Sequence, residues 1–319
     1  MIEQQIRFCT TSDGLRIAYA TVGQGPPIMR VLGWFTHLEY EWENPLWRTY
    51  IDRLSRRLCV VRYDGRGMGL SDREVEDFSL EAHVRDLEAV VDAVGLEKVA
   101  LFGISQGGPT AIAYCIRHPD RVSHLVVYGS YARTAWRALD TDEGQRQFDA
   151  LLILMRQGWG SDLPAYRQLF TSLFMPDADA EAIRQFNEMQ RISTSADNAV
   201  ALFSAERHID VRDLLPQVRA PTLVIHRRGD AMVPFESGRE LATGIPGARF
   251  LALEGRNHVP APDEPERETL CRAVEEFVGG DRKAEATAAP SGVVTVLFTD
   301  VEGSTALTQR LGDAKAREV

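Results

Sequence analysis

A serine set among glycines, an aspartate and a histidine stand far apart in this chain, each directly after a short apolar run. Ser105 lies in Gly103-Ile104-Ser105-Gln106-Gly107, Asp230 in HRRGDAMVP and His258 in EGRNHVP. A serine hydroxyl is a weak nucleophile. It needs a base, and the base needs a partner that fixes its tautomer. In the chain order Ser, Asp, His, these residues could carry out acyl transfer. Ser105 would attack a carbonyl, and His258 would take its proton and return it to the leaving group. Asp230 would orient the ring and stabilise the imidazolium. The oxyanion formed on the way needs two pre-aimed N–H donors. The backbone of Gln106, next after the serine, is one. The other would come from the segment LGWFTHLE, at Trp34 or Phe35.

Such chemistry requires the three residues to converge, and the surrounding pattern provides for that. VALFGISQGGPTAIAYCIRHP (99–119) reads as strand, sharp turn and helix with the serine at the apex. The turn forces Ser105 into a strained conformation and leaves its hydroxyl exposed above a sheet. Gly103 and Gly107 let strand and helix approach closely. The helix starting near Gln106 aims free N–H groups at the same point.

Similar units flank this one. Residues 5–10 and 15–22 read as an antiparallel pair turning at Asp13-Gly14. IMRVL (28–32) and LCVVRY (58–63) are short buried strands with a helical segment, NPLWRTYIDRLSRR, between them. SLEAHVRDLEAVVDAVGL (79–96) is a helix capped by Ser79 and stopped by Gly95, with Leu80, Val84, Leu87, Val90, Val91 and Val94 on one face. SHLVVYGS (123–130) is the next strand. The β/α rhythm breaks at about 132, and 132–216 shows helical patterns only. It resumes with APTLVIHRR (220–228), a helix near 235–244, the strand ARFLALEG (248–255) and a closing helix over 265–280. The expected class is α/β, a mostly parallel sheet with helices on both faces. An all-helical insert between two strands reads as a cap over the edge where such sheets bind ligands. Asp230 and His258 both follow strands, as Ser105 does, so all three point to that edge.

Composition narrows the class further. The 319 residues are 44% hydrophobic with a net charge of −10, and no Lys/Arg run stands out. Nucleic acid is therefore not an expected partner. Cys9, Cys59, Cys115 and Cys271 lie far apart, without metal-ligand spacing or a disulfide framework, and all but Cys9 sit in apolar contexts. The N-terminus MIEQQIRF has no signal-peptide h-region, and no apolar run approaches the roughly 20 residues of a membrane span. These features lead to the expectation of a cytoplasmic protein with no membrane partner, no metal and no cofactor, and with a homodimer left open.

At this point residues 1–280 resemble an α/β-hydrolase with a helical cap. The resemblance rests on GISQG, on YDGRGMGLSD (63–72) and on the GD and NH positions of Asp230 and His258. Where many relatives have His-Gly in the oxyanion loop, this chain has Leu32-Gly33-Trp34. The resemblance implies a serine carboxyl-ester hydrolase acting on small to medium acyl esters through an acyl-enzyme. It does not separate esterase from thioesterase, lactonase, C–C hydrolase or perhydrolase. After a charged, Ala/Pro-rich linker (281–291), the tail VVTVLFTDVEGST resembles the opening strand of a class III nucleotide cyclase. Asp300 matches that family's first metal-binding aspartate. Residues 292–319 cannot make a core of their own, and the remaining cyclase residues would lie beyond 319. The whole resembles the N-terminal module of a hydrolase–cyclase fusion. That suggests a second function, a ligand-sensing module regulating a cyclase.

The remaining candidates have plainer readings. Asp213, the other candidate acid, precedes the strand it would have to follow. His37 lies near the oxyanion loop and could line the pocket, as could Trp136 and Trp159 from the insert. Phe170, Phe174 and Phe203 sit at helical spacing as insert core. His118 ends a helix, where its charge favours the dipole. His83, His124, His208 and His226 read as structural, and Asp64 and Arg66 as an ion pair holding a loop.

Overall fold

The computed structural model describes residues 4–32, 34–134, 141–159, 161 and 163–280. The linker, the cyclase-like tail with Asp300, and Trp136 lie outside the described residues. The strands are β1 (Gln5–Thr10), β2 (Arg16–Val22), β3 (Pro27–Leu32), β4 (Cys59–Tyr63), β5 (Val99–Ile104), β6 (Val122–Tyr128), β7 (Thr222–Arg227) and β8 (Arg249–Leu253). They form one sheet in the order β1-β2-β4-β3-β5-β6-β7-β8. β1 runs antiparallel to β2, from Gln5 opposite Thr21 to Thr10 opposite Arg16, and β2 runs antiparallel to β4. All later pairings are parallel. The mostly parallel sheet opened by a hairpin is thus as expected.

Side-chain alternation decides how the sheet is covered. Met29, Val31, Leu101, Leu125, Val127 and Val224 face one way. There they meet α3 (Leu80–Val94), α4 (Gly107–Arg117) and α9 (Phe235–Gly244). Ile28, Val60, Phe102, Val126 and Ile225 face the other way, against α2 (Pro45–Ser55) and α10 (Pro265–Gly279). Both faces of a parallel sheet need cover, because its strands are apolar on both sides. α3 begins and ends where its sequence says it should. Ser79 Oγ accepts the Ala82 N–H at 3.2 Å, and Gly95 adopts φ 72°, the left-handed conformation that closes a helix.

Among the described residues, four α-helices lie between β6 and β7: α5 (Asp142–Gly158), α6 (Pro164–Phe174), α7 (Ala180–Ser193) and α8 (Ala196–Glu206). Phe148, Met155, Trp159, Phe170 and Phe203 bury together there and pack on Phe35, Met68 and Phe78 of the sheet domain's loops. A short helix that the sequence reading did not separate, α1 (Leu38–Glu43), follows β3. Cys115 and Cys271 are buried and burial pushes both thiols up to about 12, whereas Cys59, opening β4, is half-buried. No described helix is long and apolar enough to cross a membrane.

Candidate active site

Ser105 sits at the apex between β5 and α4 with φ 53°, the only non-glycine positive φ among the described residues. A non-glycine residue held there costs on the order of 1 kcal/mol or more, so its surroundings must enforce it. Its N–H donates to Tyr128 O at 2.9 Å, tying the apex to β6. The close approach of strand and helix at Gly103 is confirmed. A Cβ on Gly103 would lie 2.8 Å from Gly108 Cα and 2.9 Å from Gly107 O. A Cβ on Gly108 would lie 2.0 Å from Ser130 Oγ. Gly108, one position further on, is thus a close-approach glycine beside Gly103. The serine is also buried, at 9% exposure, not exposed as the turn alone suggested. The helical insert covers this sheet edge. Phe174, at the end of α6, accepts the His258 N–H through its carbonyl at 2.7 Å, and its ring lies 5.7 Å from the imidazole.

Asp230 and His258 meet in the loops after β7 and β8. His258 Nδ1 lies 2.8 Å from Asp230 Oδ2. The other carboxylate oxygen, Oδ1, accepts the N–H groups of Met232 (3.0 Å) and Val233 (2.9 Å). One aspartate thus serves both readings of the Gly-Asp dipeptide, with Oδ1 building the turn and Oδ2 holding the histidine. Burial pushes the Asp230 carboxyl up. The opposing charge and hydrogen bond of His258 and the Val233 N–H outweigh this and leave it below the usual carboxylate range. An ionised carboxylate only accepts, so His258 Nδ1 donates, and in the neutral ring this tautomer puts the lone pair on Nε2. That nitrogen is buried and has no hydrogen-bond partner among the described residues. A ring held in this tautomer can take a proton from a neighbouring hydroxyl.

The loops after β3 and β4 are joined through Asp64. Its Oδ2 accepts the N–H of Leu38 at 3.1 Å and that of Leu70 at 2.9 Å, linking the segment after β3 to the segment after β4. Asp64 therefore does not pair with Arg66, contrary to the sequence reading. Arg66 instead reaches Asp86 on α3 at 2.8 Å and Asp13 in the first hairpin at 3.0 Å. Both partners are distant in sequence and were not visible from the loop motif. Gln106 opens α4, where the first N–H groups lack intrahelical acceptors. Trp34 and Phe35 follow β3 and pack into the insert: Phe35 lies 4.6 Å from the Trp159 ring, and Trp34 4.9 Å from Phe174. Trp159 is thereby brought against the segment after β3. His37 caps α1, its Nδ1 accepting the Tyr40 N–H at 3.4 Å. Asp213 is exposed in a 3-10 turn before β7.

Three contributors escaped the sequence reading. Gly129 (φ 54°) follows β6 so closely under the histidine that a Cβ there would lie 2.9 Å from His258 Cε1. A glycine directly after a strand's carboxyl end was the available signal. His226, read as structural, has Nε2 3.8 Å from Asp230 Oδ2 and 3.0 Å from Val233 O, and burial lowers its pKa. The Phe174 carbonyl carried no signal at all.

A family model for the alpha/beta hydrolase fold matches residues 26–265. The chain belongs to this family. Among curated α/β-hydrolases, it is 26% identical to the AB hydrolase superfamily protein YisY of Bacillus subtilis, over 82% of this chain and 95% of that one. It is 29% identical to a non-heme haloperoxidase of Rhodococcus erythropolis, over 79% and 92%. Among solved structures, an esterase from Exiguobacterium antarcticum superposes with a TM-score of 0.72 at 24% identity, over 85% of this chain and 98% of that one. At that identity the last comparison bears on fold alone. The hydrolase fold expected from GISQG and its partner loops is therefore correct.

Proposed function

We propose that this α/β-hydrolase is a serine carboxyl-ester hydrolase acting on small to medium acyl esters through an acyl-enzyme. The observation that carries the reading is the 2.8 Å contact of His258 Nδ1 with Asp230 Oδ2, on the same sheet edge as a serine held at φ 53°. In this reading Ser105 is the nucleophile, His258 the base and then the acid, and Asp230 the residue that orients it. The N–H of Gln106 and that of Trp34 or Phe35 hold the oxyanion. Loss of one such donor typically costs about 3 kcal/mol of barrier. Residues 132–216 act as the cap. The aromatic side chains that the insert packs against Trp34 and Phe35 support a preference for apolar acyl groups. A cytoplasmic location and a small-molecule ester as partner belong to the same proposal. A ligand-sensing role is the second reading, supported by the cyclase-like sequence of 292–319.

Turnover separates the two. Hydrolysis of p-nitrophenyl esters from acetate to long acyl chains is measured for the wild type and for Ser105→Ala. The expected result is wild-type turnover that peaks at short to medium chains and is lost in the variant. Equal rates for both proteins at every chain length would sink the esterase reading.

A further inference from the structure

We propose that a second small-molecule site lies behind His258 and takes a short-chain carboxylate. A cavity of about 90 Å³ lies where β5 and β6 meet α2 and α10, with His258 in one wall. A water needs only roughly 10–15 Å³ measured this way, so the space suits a group of several heavy atoms. Leu46, Trp47, Ile104, Val259 and Leu270 make most of its surface apolar. Set into that lining are two guanidinium groups and a phenol, those of Arg30, Arg267 and Tyr50.

Of the two guanidiniums, only that of Arg30 is paired with a carboxylate. Arg30 is 4% exposed and Arg267 7%. Arg30 shares its carboxylate, Glu41, with Arg62, whose Nη1 lies 2.7 Å from Glu41 Oε2. Two guanidiniums thus meet at one carboxylate, with Asp64 a further carboxylate whose charge acts on Arg62. Arg267 donates to the carbonyls of Leu46 and Pro260 and has no carboxylate within 4.0 Å among the described residues. Buried charge without a partner is costly, and a bound anion would relieve it. Two donors there are also unused: Arg30 Nε and the Tyr50 hydroxyl are both buried without a hydrogen-bond partner among the described residues. An apolar chamber with cationic and hydroxyl donors set into it matches a carboxylate with a short alkyl chain. The carboxylate would meet Arg30, Arg267 and the Tyr50 hydroxyl, and the chain would fill the space beside Ile104 and Leu270. Arginine suits the role because its planar fork matches carboxylate geometry.

The site does not depend on Ser105 turning over esters, so it is tested in the Ser105→Ala variant. Sodium butyrate is titrated by calorimetry beside butyramide, a neutral molecule of the same size. Saturable binding of butyrate at roughly millimolar concentration is expected, with butyramide at least about tenfold weaker. Tyr50→Phe removes only a hydroxyl that no protein group uses. It should leave the melting temperature unchanged and weaken butyrate roughly tenfold, as expected for losing a hydrogen bond to a charged group. Leu270→Phe, which fills the chamber, should abolish binding. Equal binding of acid and amide, no saturable binding of butyrate, or butyrate affinity unchanged by Tyr50→Phe each overturns the proposal.

Discussion

A Cβ built on Gly129 lies 2.9 Å from Cε1 of His258 and 3.5 Å from Asp230 Oδ2. The imidazole and its carboxylate partner therefore rest on bare backbone at the carboxyl end of β6, and the close fit holds the ring in place. Gly129→Ala should displace the ring by several tenths of an ångström and strain a φ of 54°. We expect kcat/KM for p-nitrophenyl butyrate to fall by about 10²-fold and stability by about 1 kcal/mol. Unchanged kinetics would show that the ring position does not depend on this contact.

Asp230→Asn keeps the side chain's size and removes its charge, so the imidazolium loses its stabilisation and Nδ1 its obligate acceptor. A fall in kcat of roughly 10³–10⁴-fold is expected. His258→Gln should abolish turnover with little change in melting temperature. A large drop in the melting temperature of the histidine variant would mark it as a structural residue.

His83 lies buried on α3, and burial, aided by the Arg66 charge, lowers its pKa to about 4. The folded protein thus resists binding a proton that the unfolded chain takes up near 6.5. A lowered histidine pKa costs nothing above the unfolded value. It removes stability progressively as the pH falls from 6.5 towards 4, after which the loss levels off. The full loss would be about 3 kcal/mol. Urea unfolding at pH 7 and pH 4 should show His83→Leu losing less stability than the wild type over that interval. Equal losses would contradict the assignment.

Deleting 292–319 should leave ester hydrolysis unchanged, since every group assigned to the chemistry lies between Trp34 and His258. Kinetics of the shortened chain on p-nitrophenyl esters check this. Lost activity would make the tail part of the hydrolase.

Much of the framework was legible because its signals are local. Ser79 and Gly95 bound α3, the apolar runs mark β3 to β8, and a glycine-flanked serine after a strand marks the turn where φ reaches 53°. The chain order of Ser105, Asp230 and His258 was legible too, because each follows a strand and parallel strands carry their carboxyl ends to one edge. Those patterns depend on neighbours within a few residues, and propensity, capping and side-chain period act at that range.

Only the tertiary structure decided the pairings. Arg66 found Asp86 and Asp13 and not its neighbour Asp64, because α3 and the first hairpin bring carboxylates closer than the loop does. Asp64 turned instead to the N–H groups of Leu38 and Leu70. Ser105 is buried, and Phe174 of the insert reaches His258 at the same sheet edge. Arg30, Arg62 and Glu41, read as nothing in particular, became a buried cluster beside a cavity. Residue types and spacing can tell which groups are able to react, whereas partner choice and burial depend on how distant segments pack, and one chain position carries no local record of that.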